Sequence, residues 1–254
     1  MDIKNVIIPY YKKKKYIKST IFLILNQTYQ KFEIIIIYDD SNKSDLVYLK
    51  KITRKNKKIK LVVNNHNIGA GLSRNRGIYL SKGKYICFID ADDLWKKNKL
   101  KLQIKFMKKN NYLISHTSYY IFNHKNKNTQ FREAKDYLSF GRLLRSCDIG
   151  LSTVMIKKNL FKKNLKFSKT KTKEDFVLWL KISKSSIPIY ALKKPLTKWR
   201  RLHDSLSSST FQKIRDGFGV YKNYLNFGYM KSLYFLFLLS LNYLIKSYKS
   251  KINV

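Results

Sequence analysis

The chain has 254 residues, 44% of them hydrophobic, with 54 Lys and Arg against 15 Asp and Glu and a formal net charge of +39. The length suits one large domain or one domain with an appendage, and the apolar content is enough for a core. Two cysteines exclude a disulfide framework, and lysines spread along the whole chain argue against a nucleic-acid patch. The charge still favours acidic partners, namely phosphorylated substrates and anionic membrane surfaces.

In chain order, Asn5–Pro9 reads as a first strand, and no signal peptide is expected ahead of it. Tyr16–Asn26 has apolar residues at helical spacing. Glu33–Tyr38 is a second buried strand, ending in the polar turn Asp39-Asp40-Ser41-Asn42. Leu46–Arg54 reads as a helix and Ile59–Val63 as a third strand. Gly69 and Gly71 lead into a helix over Leu72–Ser81. Strand and helix alternation predicts an α/β fold with a mostly parallel sheet. Right-handed crossovers then bring Asp39, the 64–71 loop and the next strand end to one edge.

That next strand is Tyr85–Ile89, and three carboxylates follow it: Asp90, Asp92 and Asp93. Cys87, inside the apolar run, is a small core residue, which fits a reducing compartment. In extended backbone Asp90 and Asp92 point the same way and can share one target. Hard divalent cations take carboxylate oxygens and often share them with a substrate's phosphates. The other reading is a capped turn, with Asp93 as N-cap of a helix from Trp95. A basic helix follows, roughly Lys97–Lys109.

Beyond residue 111 the pattern loosens. Tyr112–Phe122 is strand-like, 123–128 a polar loop, Phe140–Arg145 a short helix and Leu151–Ile156 a strand. Glu174–Ile182 is a helix whose first turn carries two acids, which the helix dipole alone favours. Ile187–Leu192 is a late strand, and Trp199–Ser205 a basic turn. From Phe211 the chain is helical and aromatic. Leu233–Ile245 is nearly all apolar yet shorter than the ~20 residues of a spanning helix. Flanking lysines suit a helix lying on an anionic membrane surface; packing on the domain or on a second subunit is the alternative.

Val6-Ile-Ile-Pro9, Ile24-Leu-Asn-Gln-Thr28-Tyr29, Phe32–Ile37, Asp39-Asp-Ser41, Asn67-Ile-Gly69, Arg74-Asn-Arg-Gly77 and Phe88–Trp95 occur in the order found in family 2 glycosyltransferases. The resemblance is strong over residues 3 to about 110, resumes at Glu174–Lys181 and returns weakly at Arg201–Ser207. It implies the GT-A fold and inverting transfer from a nucleotide-sugar. Pro9 and Tyr11 would line the nucleotide pocket, Asp39 would accept a hydrogen bond from the base (usually uracil), and Arg74 would lie near the base or diphosphate. Asp90 would sit near the ribose or metal, and Asp92 would be the direct ligand of Mn²⁺ or Mg²⁺. Asp175 matches the catalytic base. Arg201 and His203 resemble an Arg-x-His element closing over the diphosphate, with His203 a further metal ligand; a surface basic turn is the other reading of that pair. Three positions depart from the family pattern. Tyr38 replaces an Asp, Asp40 replaces a Gly, whose left-handed turn an Asp can also take, and Lys12 stands where Asn is common.

These readings imply an enzyme that moves a sugar, UDP-linked, to a glycan or lipid-linked glycan in surface-polysaccharide synthesis. The GT-A domain would span 1–210, with 1–110 taking the donor and 111–210 the acceptor; 211–254 would be a helical extension. The protein would be cytoplasmic and peripheral on the membrane. Two rivals remain. A nucleotidyltransferase would bring a Gly-rich phosphate loop near the first strand, where Pro9-Tyr-Tyr11 stands instead. A non-catalytic basic binder would keep its activity without Asp90 and Asp92.

Overall fold

The computed structural model describes residues 4–123, 127–146, 148–163, 165–202 and 209–251. Cys147 and His203 lie outside the described residues. The N-terminal half follows the expected alternation: β1 (Lys4–Tyr10), α1 (Lys14–Leu25), β2 (Phe32–Tyr38), α2 (Lys43–Thr53), β3 (Ile59–Val63), α3 (Ala70–Leu80) and β4 (Tyr85–Phe88). These four strands are parallel, in the order β3-β2-β1-β4.

The apolar runs of β1, β2 and β4 are unbroken because both faces are covered, whereas the edge strand β3 carries the exposed Lys60 and is only partly buried. Val6, Ile8, Tyr10, Cys87 and Ile89 face one core, lined by α1 residues Ile17, Ile21 and Ile24. Ile7, Ile86 and Phe88 face the other, which includes Ile78 of α3. Helix α1 buries Ile17, Thr20, Ile21 and Ile24, one stripe at i, i+3, i+4 and i+7.

The second half departs more from the sequence reading. Leu94–Trp95 is not a helix start but a short strand, β5, antiparallel to a later strand. The helix of that region, α4, spans Lys99–Lys109, and β6 spans Ile114–Phe122. A strand absent from the sequence reading, β7 (Asn128–Arg132), pairs with β6 just after the expected polar loop. Helix α5 falls on Phe140–Arg145 as expected. The expected strand Leu151–Ile156 is a 3₁₀ turn over Leu151–Thr153 followed by β8 (Met155–Lys157). Helix α6 spans Glu174–Lys184, and the late strand, β9, runs Tyr190–Arg200. Strand β9 lies parallel to β6 and antiparallel to β5, so Trp199 and Arg200 close a strand and do not form a turn. The full order is β3-β2-β1-β4-β8-β6-β9-β5, with β7 on β6. Helix α7 (Thr210–Gly219), a π turn over Val220–Tyr224 and helix α8 (Tyr229–Lys251) complete the chain. Among the described residues no helix is long and apolar enough to cross a membrane.

Helix α3 begins against the 165–173 segment. A Cβ on Gly71 would stand 2.4 Å from the backbone oxygen of Ser168 and 3.3 Å from the Glu174 side chain. Backbone cannot yield as a side-chain tip does. Gly71→Ala is therefore expected to lower stability by about 1–3 kcal/mol, read from urea denaturation midpoints. An unchanged midpoint would show that the segment shifts at no cost.

Candidate active site

In the order β3-β2-β1-β4, the strand connections reverse direction between β1 and β4, and open α/β sheets bind ligands at such points. Three strand ends meet there. The segment after β1 carries Tyr11, Lys12 and Lys13, β2 ends in Asp39, and β4 leads into Asp90–Asp93.

Asp39 is buried. One carboxylate oxygen accepts from Asn64 Nδ2 at 2.7 Å and from the Ile68 N–H at 2.8 Å, and the other accepts from the Gly69 N–H at 2.8 Å. Asn67 Nδ2 donates to its backbone oxygen at 2.6 Å. Asp39 thus fixes the 64–69 loop. A carboxylate offers about four acceptor positions, so one remains beyond the three used by the loop. Tyr38, in place of the family Asp, turns into the core and stacks on Tyr10 at 5.2 Å. Tyr10 donates to Asp45 at 2.7 Å. The left-handed residue here is Lys12 (φ 51°), not Asp40. Asp40 instead accepts from the Lys12 N–H at 2.9 Å. Pro9 lies within β1, opposite Ile37, and Tyr11 is partly exposed beyond it.

The backbone turns through the three aspartates after β4, the Asp93 N–H donating to the Asp90 oxygen at 3.0 Å, and each side chain has its own partner within the protein. Asp90, the most exposed, accepts from Arg74 at 2.7 Å. Asp92 pairs with Lys13 at 2.9 Å, an ion pair joining the ends of β1 and β4. Burial pushes the Asp92 carboxyl up, with Lys13 opposing. Asp93 is fully buried and is no helix cap. Its oxygens accept from Ser152 Oγ at 2.5 Å and from the Arg200 N–H at 2.8 Å. Burial, then the neighbouring Asp92, hold the Asp93 carboxyl well above the usual range.

Arg74 sits at the centre, nearly buried on α3. Besides Asp90 it binds Glu174 of α6 at 2.6 Å, with Phe167 against its guanidinium. Burial pushes the Glu174 carboxyl up to about 7 against the pull of Arg74. The next residue, Asp175, stays partly exposed, and one of its oxygens accepts from the Phe176 N–H at 2.7 Å. Burial raises its carboxyl, opposed first by Arg74 and then by Lys173, while Asp90 adds to the rise. The fold therefore brings Asp175, Arg74 and Asp90 into one electrostatic group, although the sequence separates them widely.

Arg201 takes a different direction. Its guanidinium meets Gln130 of β7 at 3.3 Å. The preceding Arg200 reaches the aspartates instead, donating from Nε to the Asp92 backbone oxygen at 3.0 Å between the rings of Tyr16 and Phe122. Neighbouring residues along a strand point to opposite faces, so only one of the two arginines could face the site. The sequence reading missed Arg200, Lys13 and the Glu174 partner of Arg74. Of these, Glu174 had a signal, an acid beside the expected base, and it reads equally as helix capping.

Among the described residues no three His, Cys, Asp or Glu side chains gather to hold a metal. Two neighbouring carboxylates still fit Mg²⁺ or Mn²⁺, which keep few protein ligands and complete their shell with water and substrate phosphates.

A mostly parallel sheet flanked by helices, with carboxylates at its switch point, is an α/β fold of the GT-A kind. The chain belongs to glycosyl transferase family 2, whose pattern matches residues 5–173. It is 36% identical over 215 residues to an uncharacterized glycosyltransferase of Rickettsia bellii, covering 84% of this chain and 31% of that one; it thus spans about a third of that relative's length. It is 31% identical over 242 residues to the Escherichia coli UDP-Glc:alpha-D-GlcNAc-diphosphoundecaprenol beta-1,3-glucosyltransferase WfgD, covering 95% of this chain and 92% of that one. The crystal structure of Staphylococcus aureus TarS (residues 1–349), in complex with UDP-GlcNAc, superposes with a TM-score of 0.72 at 20% identity, covering 93% of this chain and 70% of that one. At that identity the likeness speaks for the fold.

Proposed function

We propose that the protein transfers a sugar, with inversion, from a UDP-linked donor to a hydroxyl of a lipid-linked glycan in surface-polysaccharide synthesis. The observation that carries the reading is the junction at the sheet's switch point, where Arg74 joins Asp90 after β4 to Glu174, the neighbour of Asp175, on α6, and Lys13 after β1 pairs with Asp92. The near full-length similarity to WfgD supports the acceptor class. Residues 1–110 take the donor, with Pro9, Tyr11 and the free acceptor position of Asp39 toward the base. Residues 111–210 take the acceptor, and 211–254 form an extension at the cytoplasmic face of the membrane. Asp92 and Asp90 hold a divalent cation, which supplies Lewis-acid neutralisation of the departing diphosphate. Arg74 adds fixed positive charge beside it, and Arg200, held against the backbone of Asp92, is the arginine of the 200–201 pair that lies on this side. Asp175 accepts the proton of the attacking hydroxyl, so no covalent nucleophile on the enzyme is needed.

The test is the melting temperature with UDP, GDP, CDP or dTDP, each with and without Mn²⁺. UDP with Mn²⁺ at a hundredfold excess over Kd is expected to raise it by about 5–10 °C, and Asp92→Ala to remove the metal-dependent part. A larger shift with another nucleotide would overturn the base assignment. No shift in folded protein would sink the enzyme reading.

A further inference from the structure

Helix α8 has two unlike faces. One packs on the domain through Ser232, Phe235, Leu236 and Leu239. Asn242 donates to the Arg145 oxygen at 3.1 Å, and Lys246 pairs with Asp148 at 2.5 Å. The other face exposes Met230, Tyr234, Phe237, Leu241, Leu244 and Tyr248. Leu233 and Ile245 widen it to about 120° of the circumference at 100° per residue. From Tyr229 to Tyr248 that arc holds no charged residue. A coiled-coil seam is narrower and flanked by charges. A wide uncharged face with tyrosines at intervals suits the boundary between head groups and acyl chains.

A cleft of about 750 Å³ runs between α5 and the edge of this face, lined by Ser139, Arg142, Arg145, Ser146, Tyr234 and Asn242. Both arginines are exposed, and neither has an ion pair among the described residues. Guanidinium groups bind phosphate oxygens bidentately. Two exposed guanidinium groups, Arg142 resting over the Tyr137 ring at 5.9 Å, beside an uncharged helix face match an amphiphile with an anionic head and apolar tails.

We propose that the α5–α8 cleft binds the phosphate head groups of anionic membrane lipids, with the exposed face of α8 lying in the acyl boundary. This deepens the membrane part of the reading above. It fixes which side of the protein meets the bilayer.

The experiment is co-sedimentation of the full chain with vesicles of phosphatidylcholine alone or mixed with phosphatidylglycerol. The wild type is expected to bind the mixed vesicles. Arg142→Gln with Arg145→Gln should weaken binding about thirtyfold, at about tenfold per 1.4 kcal/mol and roughly 1 kcal/mol per basic residue. The same charge change at the exposed Lys57 and Lys60, far along the chain, should weaken it much less. Phe237→Asp should abolish binding, and all variants should keep the nucleotide-induced melting shift. Equal losses from the arginine and lysine pairs would overturn the cleft in favour of diffuse charge attraction. Displacement by millimolar inorganic phosphate would assign the cleft to a soluble anion. No vesicle binding, with a dimer by light scattering that Phe237→Asp dissolves, would make the face a subunit contact. Vesicle binding without any nucleotide shift would leave this proposal standing and sink the glycosyltransferase reading.

Discussion

Asp175→Asn is expected to lower sugar transfer on the order of 10²–10⁴-fold, the usual contribution of a general base, while leaving the nucleotide-induced melting shift in place. The amide keeps the shape and the hydrogen bond from the Phe176 N–H but cannot accept a proton from the incoming hydroxyl. Mere helix capping predicts something else: Asp175→Asn would cost some stability and little activity, because Asn caps about as well as Asp. Melting temperature and turnover together separate the two. The pH profile gives a second check. Burial, with Asp90 adding to it, raises the Asp175 carboxyl. Turnover requires the ionised form, so it should fall as pH drops through that raised value, above the range of an exposed aspartate. In the Asn variant this acidic limb should vanish from the residual rate. Full activity in the variant would remove Asp175 from the mechanism.

The sequence carried the site's addresses better than its internal wiring. In residues 4–80 each strand is followed at once by its helix, and apolar runs such as Val6–Ile8 and Ile34–Ile37 are buried. Such local signals leave little choice of fold. The second half is decided by distant pairings. Leu94–Trp95 becomes a strand only because Thr197 and Lys198 lie beside it, and that pairing overrides the helix start that Asp93 suggested. Strand β7 is largely polar, and Arg132 and Phe131 are held by pairing with Tyr119 and Tyr120. Helix α8 was legible as apolar, but which side packs on the domain depends on partners such as Arg145, distant in sequence. Within the site, the aspartates could be counted but not their companions. Lys13 is one lysine among many, and nothing local marks it as the partner of Asp92.

Arg74 joins the two halves, and its loss should be the costliest single change for stability. Arg74→Met is expected to destabilise by about 3–5 kcal/mol, because removing one member of a buried ion pair leaves its partner's charge uncompensated. Here two carboxylates lose the guanidinium, Asp90 at 2.7 Å and Glu174 at 2.6 Å. The pH dependence follows from Glu174. Its carboxyl is raised in the folded state to about 7 from an ordinary 4.5, so the folded protein holds a proton that the unfolded chain releases between those values. That contribution to stability is complete below pH 4.5 and is lost as pH rises through 7. Without Arg74 the Glu174 carboxyl moves higher still, since the opposing charge is gone. The deficit of Arg74→Met should therefore be larger at pH 8, where Glu174 must ionise, than at pH 5, where it stays neutral. Adding Glu174→Gln should recover part of the loss at pH 8 and little at pH 5. Urea denaturation of the three proteins at both pH values reads this directly. A pH-independent deficit would mean that Arg74 acts through packing against Phe167 and not through charge.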